Sequence, residues 1–336
     1  MNNKTMETMP PLNILISDVA AERFHHDIAR TLDGAPFRLL TPDDDAHAEA
    51  QIAFVSRDVT GHSTKHELTA ATRRFYDAML GAPQLRWVHA HSAGADRPVF
   101  HALLQRSVRV TTSSGANART VAHSALAGVL ALARRLPLLH EAQREHAWRP
   151  LLLEASPRDL AGQTAVLVGY GAIGRKLAML LEALEMNVIV VRREAPANAE
   201  TLPRSIALAN IDRVLPHADW LVLACPLTPQ THGLVDAKRL ALMPRGAHLV
   251  NVARGEVIVE TDLIAALRDG GLAGAYLDVF EHEPLTAASP LWDLPNVILT
   301  PHMAGQSDSY YDAVGRLWLD NLARWCRGEP LVNEAH

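Results

Sequence analysis

The chain has 336 residues, of which 48% are hydrophobic and 21% charged, and its formal net charge is −5 at pH 7. This is the composition of a globular protein of about two domains, and it lacks the basic excess of a polyanion-binding protein, so we expect no nucleic acid partner. The two cysteines, Cys225 and Cys326, lie in no metal-ligand spacing, and no run of about 18 apolar residues occurs, so we expect no disulfide framework, no metal and no membrane span.

In the first third of the chain, apolar strand patterns alternate with helical patterns. The predicted strands are Asn13–Asp18, Gln51–Ser56, Leu85–Ala90 and Val108–Thr112, and the helical patterns include Ala21–Leu32 and Lys65–Met79. This alternation predicts an α/β unit with parallel strands.

The first eleven residues are polar and lack the apolar core of a signal peptide, so we expect a reducing, cytoplasmic location.

A long apolar helix is predicted at Arg119–Leu136, and after it the alternation begins again. The predicted helix Ile173–Leu184 follows the first of six strands, which are Thr164–Gly169, Asn187–Val191, Trp220–Leu223, His248–Val252, Ala275–Val279 and Val297–Thr300. The final helix, Asp308–Arg327, has no strand of its own, so we expect it to pack on the first unit. The predicted units are residues 1–116 with 302–336, and residues 117–301, joined by two crossings that form a hinge.

The segment VLVGYGAIGRK places three glycines between a predicted strand and a predicted helix. Gly169 permits a tight turn, Gly171 lets the backbone approach a pyrophosphate, and Gly174 lets the helix pack closely on the strand. The helix begins near Ala172 and Ile173, and its unpaired N–H groups and positive dipole end favour phosphate. The pattern therefore predicts a dinucleotide-binding turn.

The next predicted strand ends on two arginines, in the segment VIVVRRE. In a dinucleotide fold an acid at this position binds the ribose 2′-OH and selects NAD. Here the position is occupied by Arg192, followed by Arg193, and a guanidinium can bind a 2′-phosphate through two hydrogen bonds. We therefore predict a preference for NADP, with NAD as a weaker cofactor. The alternatives are a solvated charged turn, or stacking of Arg193 on the adenine.

Three further segments place charged side chains just after predicted strands. VNVARGEVI contains Arg254, LDVFEHEPL contains Asp278, Glu281 and Glu283, and LTPHMAG contains His302. In open α/β sheets, ligands bind beyond the carboxyl ends of the strands. If the strands are parallel, all three segments face one crevice.

These segments resemble those of the D-isomer-specific 2-hydroxyacid dehydrogenase family. The similarity extends from SAGAD at Ser92–Asp96 to GEPL at Gly328–Leu331. NARTVAHSALAGVLALARRLP resembles the family's interdomain helix, DLAGQTAVLVGYGAIG its cofactor turn, and ACPLTPQTHGLV the loop beneath its nicotinamide. The resemblance implies two doubly wound parallel-sheet domains. A Rossmann-type cofactor domain (117–301) is inserted in a flavodoxin-like substrate domain (1–116 and 302–336).

The resemblance also implies roles for individual residues. Arg254 is the expected substrate-binding arginine, His302 the acid/base, and Glu283 its hydrogen-bonded partner. The backbone amides of Ala93 and Gly94 are expected to hold the substrate carboxylate.

Three more residues are expected to contact the cofactor. By the resemblance, Asp278 holds the nicotinamide carboxamide, and Pro226 and Thr231 lie in the loop beneath the nicotinamide. The implied substrate is a small 2-keto or 2-hydroxy acid.

The chain departs from the family at His123, where the interdomain helix often has glutamate. Related formate dehydrogenases have glutamine in place of Glu283, which argues against that activity. A non-catalytic corepressor-like relative and a dehydrogenase of larger 2-keto acids remain alternatives to our preferred prediction, a glyoxylate/hydroxypyruvate reductase. We also expect a homodimer with the apolar helix Arg119–Leu136 at its interface.

Overall fold

The computed structural model describes residues 10–64, 67–153, 156–194 and 204–335. The chain forms two compact units, residues 1–116 with 308–336, and residues 117–307. One unit contains a five-stranded sheet and the other a seven-stranded sheet, and all neighbouring strands within them are parallel. The predicted fold class, two parallel-sheet α/β domains, is therefore confirmed. Within the described residues, no helix combines the length and the apolar character that a membrane span requires.

The first unit is a sheet of order β2-β1-β3-β4-β5. Its strands are β1 (Leu12–Leu15), β2 (Phe37–Leu40), β3 (Ile52–Val55), β4 (Trp87–Ala90) and β5 (Arg109–Thr112), and its helices are α1 (Asp18–Thr31), α2 (Arg57–Thr60), α3 (Ala70–Gly81), α4 (Pro98–Gln105) and α10 (Tyr310–Arg327).

The C-terminal helix α10 packs on this unit through aromatic side chains. The Trp318 ring stacks on Phe54 at a centroid distance of 4.4 Å and meets the edge of Phe24 at 6.1 Å. Gly315 allows this close approach, because a Cβ atom there would lie 2.3 Å from the Phe24 ring. The helix thus completes the core of the first sheet.

The second unit is a sheet of order β12-β11-β10-β9-β6-β7-β8. Its strands are β6 (Thr164–Val168), β7 (Asn187–Arg192), β8 (Arg204–Ala207), β9 (Trp220–Leu223), β10 (His248–Asn251), β11 (Gly274–Leu277) and β12 (Val297–Leu299), and its helices are α5 (Ala118–Ala133), α6 (Leu136–Arg144), α7 (Ala172–Glu182), α8 (Ala237–Leu242) and α9 (Glu260–Arg268).

The last residues of five of these strands are register partners. Across the sheet the row runs through Val168, Leu223, Asn251, Leu277 and Leu299. The strand order changes direction between β6 and β9, which is where ligands bind in such sheets. The segments that follow these strands therefore all begin at the carboxyl ends of the strands, which is the side of the sheet where the switch point binds ligands.

Several helix and strand boundaries differ from the sequence prediction, and two of the differences have a clear local cause. Helix α1 begins at Asp18, which we assigned to a strand, because the Ser17 hydroxyl accepts a hydrogen bond from the N–H of Ala20. Helix α5 ends at Ala133 rather than at Leu136, because Arg135 adopts a left-handed conformation with φ of 52°.

The second crossing between the units was expected at residues 301–302 but lies at residues 307–308. The loop that carries His302 stays with the second sheet because its N–H groups bond to Asp278: the N–H of His302 donates to the Asp278 carbonyl at 2.8 Å. The N–H groups of Met303 and Ala304 donate to the Asp278 carboxylate at 2.9 and 3.0 Å. His302 therefore belongs to the same unit as Arg254 and Glu283.

Candidate active site

The glycine turn after β6 has the packing that its sequence predicts. Gly169 has φ of +100°, and a Cβ atom there would lie 2.6 Å from the carbonyl oxygen of Ala224. A Cβ atom at Gly174 would lie 2.1 Å from the carbonyl oxygen of Gly169, so helix α7 starts directly against the turn. At Gly171, by contrast, a Cβ atom would meet no atom within 4 Å. The turn thus leaves open space in front of the first turn of α7, where Ala172 and Ile173 lie, as a pyrophosphate site requires.

The two arginines at the end of β7 differ in exposure. Arg192 is the last residue of the strand and is half-buried, whereas Arg193 is exposed. The N–H of Gly169 donates to the carbonyl of Val191 at 2.9 Å, so the glycine turn and the arginine pair are adjacent. The position where a dinucleotide fold meets the ribose is therefore cationic.

The loop after β9 is folded on the hydroxyl of Thr231. This buried hydroxyl donates to the carbonyl of Pro226 at 2.7 Å and accepts from the N–H of Thr228 at 2.8 Å. Pro226 itself is exposed. Thr231 thus shapes the loop on which Pro226 is presented.

Arg254 lies on a turn that Asn251 and Gly255 hold in place. The Asn251 amide donates to the carbonyl of Arg254 at 3.0 Å, and its oxygen accepts from the N–H of Ala253 at 3.0 Å. A Cβ atom at Gly255 would lie 1.8 Å from the carbonyl carbon of Phe280, so this turn packs directly on the segment that leads to Glu283. Asn251 lies within the segment VNVARGEVI, but no role was predicted for it from the sequence.

Glu283 and His302 form a hydrogen-bonded pair. Nδ1 of His302 donates to Oε2 of Glu283 at 2.7 Å, and Oε1 of Glu283 accepts from the N–H of Phe280 at 3.2 Å. Burial raises the pKa of the Glu283 carboxyl, but the bonds from His302 and Phe280 and the charge of Arg254 outweigh it, so the pKa lies below its usual value. Because an ionised carboxylate only accepts hydrogen bonds, it fixes the proton of His302 on Nδ1 and leaves Nε2 for a ligand.

Asp278 anchors the loop that carries His302. In addition to the N–H groups of Met303 and Ala304, its carboxylate accepts from the hydroxyl of Thr300 at 2.6 Å, which lies 3.0 Å from the hydroxyl of Tyr276. Burial raises the pKa of Asp278, and these hydrogen bonds oppose that effect. Asp278 was predicted from the sequence, whereas Tyr276, and Thr300 within LTPHMAG, were given no role there.

The same loop is tied to helix α5. The Ser124 hydroxyl donates to the carbonyl of Ala304 at 2.9 Å, whereas the neighbouring His123, where the family often has glutamate, is exposed. Ala93 and Gly94 belong instead to the first unit. Their loop follows β4, and the Ser92 hydroxyl closes it by donating to the carbonyl of Gly94 at 2.7 Å.

The comparisons with known proteins agree with one another. A model of the family described as D-isomer specific 2-hydroxyacid dehydrogenase, NAD binding domain, matches residues 126–304. The chain is 32% identical over 265 residues to a glyoxylate reductase of Thermofilum pendens, covering 77% of this chain and 78% of that protein. The chain belongs to the D-isomer-specific 2-hydroxyacid dehydrogenase family. The predicted family is thereby confirmed.

Two solved structures of 2-hydroxyacid dehydrogenases resemble this one over nearly its whole length. The protein of Aeromonas salmonicida has a TM-score of 0.79 at 30% identity, covering 97% of this chain and 99% of that chain. The protein of Xanthobacter autotrophicus Py2, solved with NADPH and MES, has a TM-score of 0.74 at 29% identity, covering 97% of this chain and 98% of that chain. As a member of this family, the dehydrogenase is an NAD(P)-dependent oxidoreductase of 2-hydroxy or 2-keto acids.

The second unit of this dehydrogenase has the groups that such chemistry needs. It provides a guanidinium that can bind a carboxylate, an imidazole whose tautomer is fixed, and an open glycine turn at a helix N-terminus. In the described part of the chain, His, Cys, Asp and Glu side chains form no cluster of three that could hold a metal ion.

Proposed function

We propose that the protein is an NADP-preferring reductase of small 2-keto acids of the glyoxylate or hydroxypyruvate class, and that it forms the D-2-hydroxy acid. The observation that carries this proposal is the hydrogen bond between His302 and Glu283, beside the turn of Arg254. The similarity to a glyoxylate reductase supports the substrate class. The similarity to a dehydrogenase solved with NADPH supports the cofactor.

In this proposal each residue of the pair and the arginine has a distinct task. Arg254 binds the carboxylate of the keto acid and polarises the adjacent carbonyl. His302, when both of its ring nitrogens are protonated, gives the proton on Nε2 to the carbonyl oxygen. Glu283 holds the imidazole so that Nε2 faces the substrate, and the backbone amides of Ala93 and Gly94 hold the substrate carboxylate. NADPH, when bound, supplies the hydride that reduces C2.

The cofactor is assigned to the glycine turn and its neighbours. Gly169, Gly171 and Gly174, with the N–H groups of Ala172 and Ile173, would hold the pyrophosphate, because the space beside Gly171 is open. Arg192 and Arg193 would bind the ribose 2′-phosphate; NADH, which lacks that group, would bind more weakly.

At the nicotinamide end of the cofactor we assign three residues. Asp278 would hold the carboxamide with the lone pairs that its bonds to the His302 loop leave free. Pro226 and Thr231 would support the ring.

The proposal is tested by a panel of 2-keto acids of increasing length with NADPH and with NADH, measuring kcat/KM and the configuration of the product. We expect the highest kcat/KM with glyoxylate or hydroxypyruvate and NADPH, and a D product wherever C2 becomes chiral. A higher kcat/KM with a longer acid would favour the dehydrogenase of larger substrates. Tight cofactor binding without turnover of any acid would favour the corepressor-like alternative.

We further propose a homodimer whose interface extends beyond the expected helix Arg119–Leu136 into the residues that follow it. Most apolar side chains of α5, such as Val129 and Leu132, are buried within their own unit. Exposed apolar side chains occur instead in the residues that come after α5 in the chain: Leu136, Trp148 and Leu153 are 49%, 94% and 91% exposed.

Light scattering at micromolar concentration tests the dimer. The double change Trp148→Glu with Leu153→Glu should give a monomer. Trp292→Glu, at another exposed tryptophan, should leave the dimer intact. A wild-type monomer would contradict the proposal.

We also place the enzyme in the reducing cytoplasm, since Cys225 and Cys326 are both free thiols.

A further inference from the structure

Tyr170 lies between the first two glycines of the turn, and its ring contacts Arg192. The guanidinium carbon of Arg192 lies 4.4 Å from the centroid of the Tyr170 ring, which is the geometry of a cation–π contact. Neither the glycine pattern nor the family resemblance assigned this residue a role. The contact joins the phosphate turn to the end of β7.

The main chain that carries the ring is held by hydrogen bonds at Gly169 and at Tyr170 itself. Before it, the N–H of Gly169 donates to the carbonyl of Val191, the residue that precedes Arg192, at 2.9 Å. At the residue itself, Nη1 of Arg175 donates to the carbonyl of Tyr170 at 3.2 Å. The ring also packs on the buried cluster that includes Leu167 and Leu177. It is therefore a fixed platform beneath the guanidinium.

The Arg192 side chain is held by its contact with the Tyr170 ring, but one of its N–H donors lacks a hydrogen-bond acceptor among the described residues. Its Nε atom is buried and finds no acceptor among the residues that the structure describes. Polar groups that are shielded from water are normally hydrogen-bonded, so an unpaired donor in a cationic group indicates a site for an anion. The Nε–H and an Nη–H form one edge of the guanidinium plane, and this edge matches two oxygens of a phosphate.

We propose that Tyr170 is a positioning residue that selects NADPH: its ring holds the guanidinium of Arg192 flat, with an N–H edge presented to the ribose 2′-phosphate. This inference rests on the proposed preference for NADP. Holding the side chain before the ligand arrives lowers the conformational cost of binding, because long side chains otherwise lose freedom at that moment. A contact of this kind changes a binding constant about fivefold.

A purely structural role for Tyr170 predicts a different result. If the ring only supports the fold of the glycine turn, its loss weakens every ligand that binds there. If it acts through Arg192, its loss weakens only ligands with a 2′-phosphate. Adenosine 2′,5′-bisphosphate and 5′-AMP differ by that group alone, so they separate the two roles without any dependence on catalysis.

The experiment measures the Kd of both nucleotides by calorimetry for the full chain and its variants. Tyr170→Leu should weaken adenosine 2′,5′-bisphosphate about fivefold and change 5′-AMP by less than about twofold. Tyr170→Phe, which keeps the ring, should bind both like the wild type. In an Arg192→Ala background, Tyr170→Leu should have no further effect on either nucleotide. If the leucine variant does not fold, Tyr170→Met removes the ring while keeping its bulk.

Three results would overturn the inference: no change in Tyr170→Leu, an equal loss for both nucleotides, or the same loss when Arg192 is already alanine. A failure of the proposed cofactor preference is recognised separately. In that case the wild type binds both nucleotides equally and Arg192→Ala changes neither, and the inference on Tyr170 falls with it. If Arg192→Ala abolishes the discrimination between the two nucleotides and Tyr170→Leu leaves it unchanged, only the inference on Tyr170 is wrong.

Discussion

Nδ1 of His302 lies 2.7 Å from Oε2 of Glu283, and the two side chains differ in exposure: that of His302 is 49% exposed and that of Glu283 is 15% exposed. A shielded carboxylate therefore holds one nitrogen of the ring, while the rest of the imidazole is accessible. This is the arrangement of a proton donor whose orientation is set by the hydrogen bond at its other ring nitrogen.

Replacing Glu283 with glutamine should lower kcat by about ten- to a hundredfold, because the amide keeps a hydrogen bond but loses the charge that fixes the tautomer of His302. The KM for the keto acid should change less. The matched control is Glu281→Gln, since Glu281 is an exposed carboxylate two residues away. Equal kinetics of the Glu283→Gln and Glu281→Gln variants would remove Glu283 from the mechanism.

Arg254→Lys should raise the KM of the keto acid and also lower kcat, because lysine keeps the charge but cannot offer two parallel N–H donors to a carboxylate and its carbonyl. We expect kcat/KM to fall about a hundredfold or more. Arg245→Lys is the control. Arg245 lies just before β10, at the amino end of that strand, whereas Arg254 lies just after β10, at its carboxyl end. An Arg254→Lys variant with the kcat/KM of wild type would exclude this arginine from substrate binding.

The first unit should lose stability in mild acid because it buries two neutral histidines. His89 bonds to the hydroxyls of Thr111 and Ser113 at 2.8 and 3.0 Å, and His91 bonds to that of Thr60 at 2.8 Å. Burial lowers the pKa of each histidine to about 3. For His91, the positive charges of nearby arginines add to the effect of burial.

The sign follows from the unfolded state, in which a histidine has a pKa of about 6.5. Between pH 6.5 and 3 the unfolded chain takes up protons that the folded chain does not, so the free energy of unfolding falls as the pH falls. The slope is at most about 1.4 kcal/mol per pH unit for each histidine. Urea unfolding followed between pH 7 and pH 4.5 measures it, and His91→Gln should make the dependence shallower. An unchanged slope in that variant would show that His91 is not the group responsible.

NADPH should be preferred over NADH by about one to two decades in kcat/KM, since a charge-assisted contact to the 2′-phosphate is worth about 1.5–3 kcal/mol. The preference should shrink with added salt, because the arginines lie near the surface. Arg192→Asp should repel the phosphate and shift the preference to NADH. Arg193→Ala tests the alternative of adenine stacking, which predicts equal weakening of both cofactors. If Arg192→Asp does not change the ratio of kcat/KM with NADPH to kcat/KM with NADH, the two arginines form only a charged turn.

The fold and the main site residues could be predicted because their signals are local. A glycine pattern between a strand and a helix, or a charged residue just after an apolar run, is visible within about ten residues. Strands β2 and β8 were missed because both lie at sheet edges and are only partly buried, so neither has the apolar run of a central strand.

The supporting residues were missed for another reason. Thr300 and Asp278 are bonded across 22 residues, and Tyr170 meets Arg192 only because the register of β6 and β7 aligns their ends. Contacts of this kind depend on the packed sheet and have no periodic signal in the chain. The left-handed Arg135 that ends α5 is similar, since nothing in ARRLP requires a non-glycine residue to adopt it.

The most direct test of this account compares the rate of NADPH oxidation with glyoxylate and with hydroxypyruvate in wild type and in His302→Asn. Asparagine suits the comparison because His302 has a φ of 50°, a left-handed conformation that asparagine tolerates. We predict that wild type turns over at least one of these acids and that the variant loses about a hundredfold or more in kcat, while its Kd for NADPH is unchanged. No turnover of any 2-keto acid by wild type, or a variant kcat within about threefold of wild type, would contradict the account.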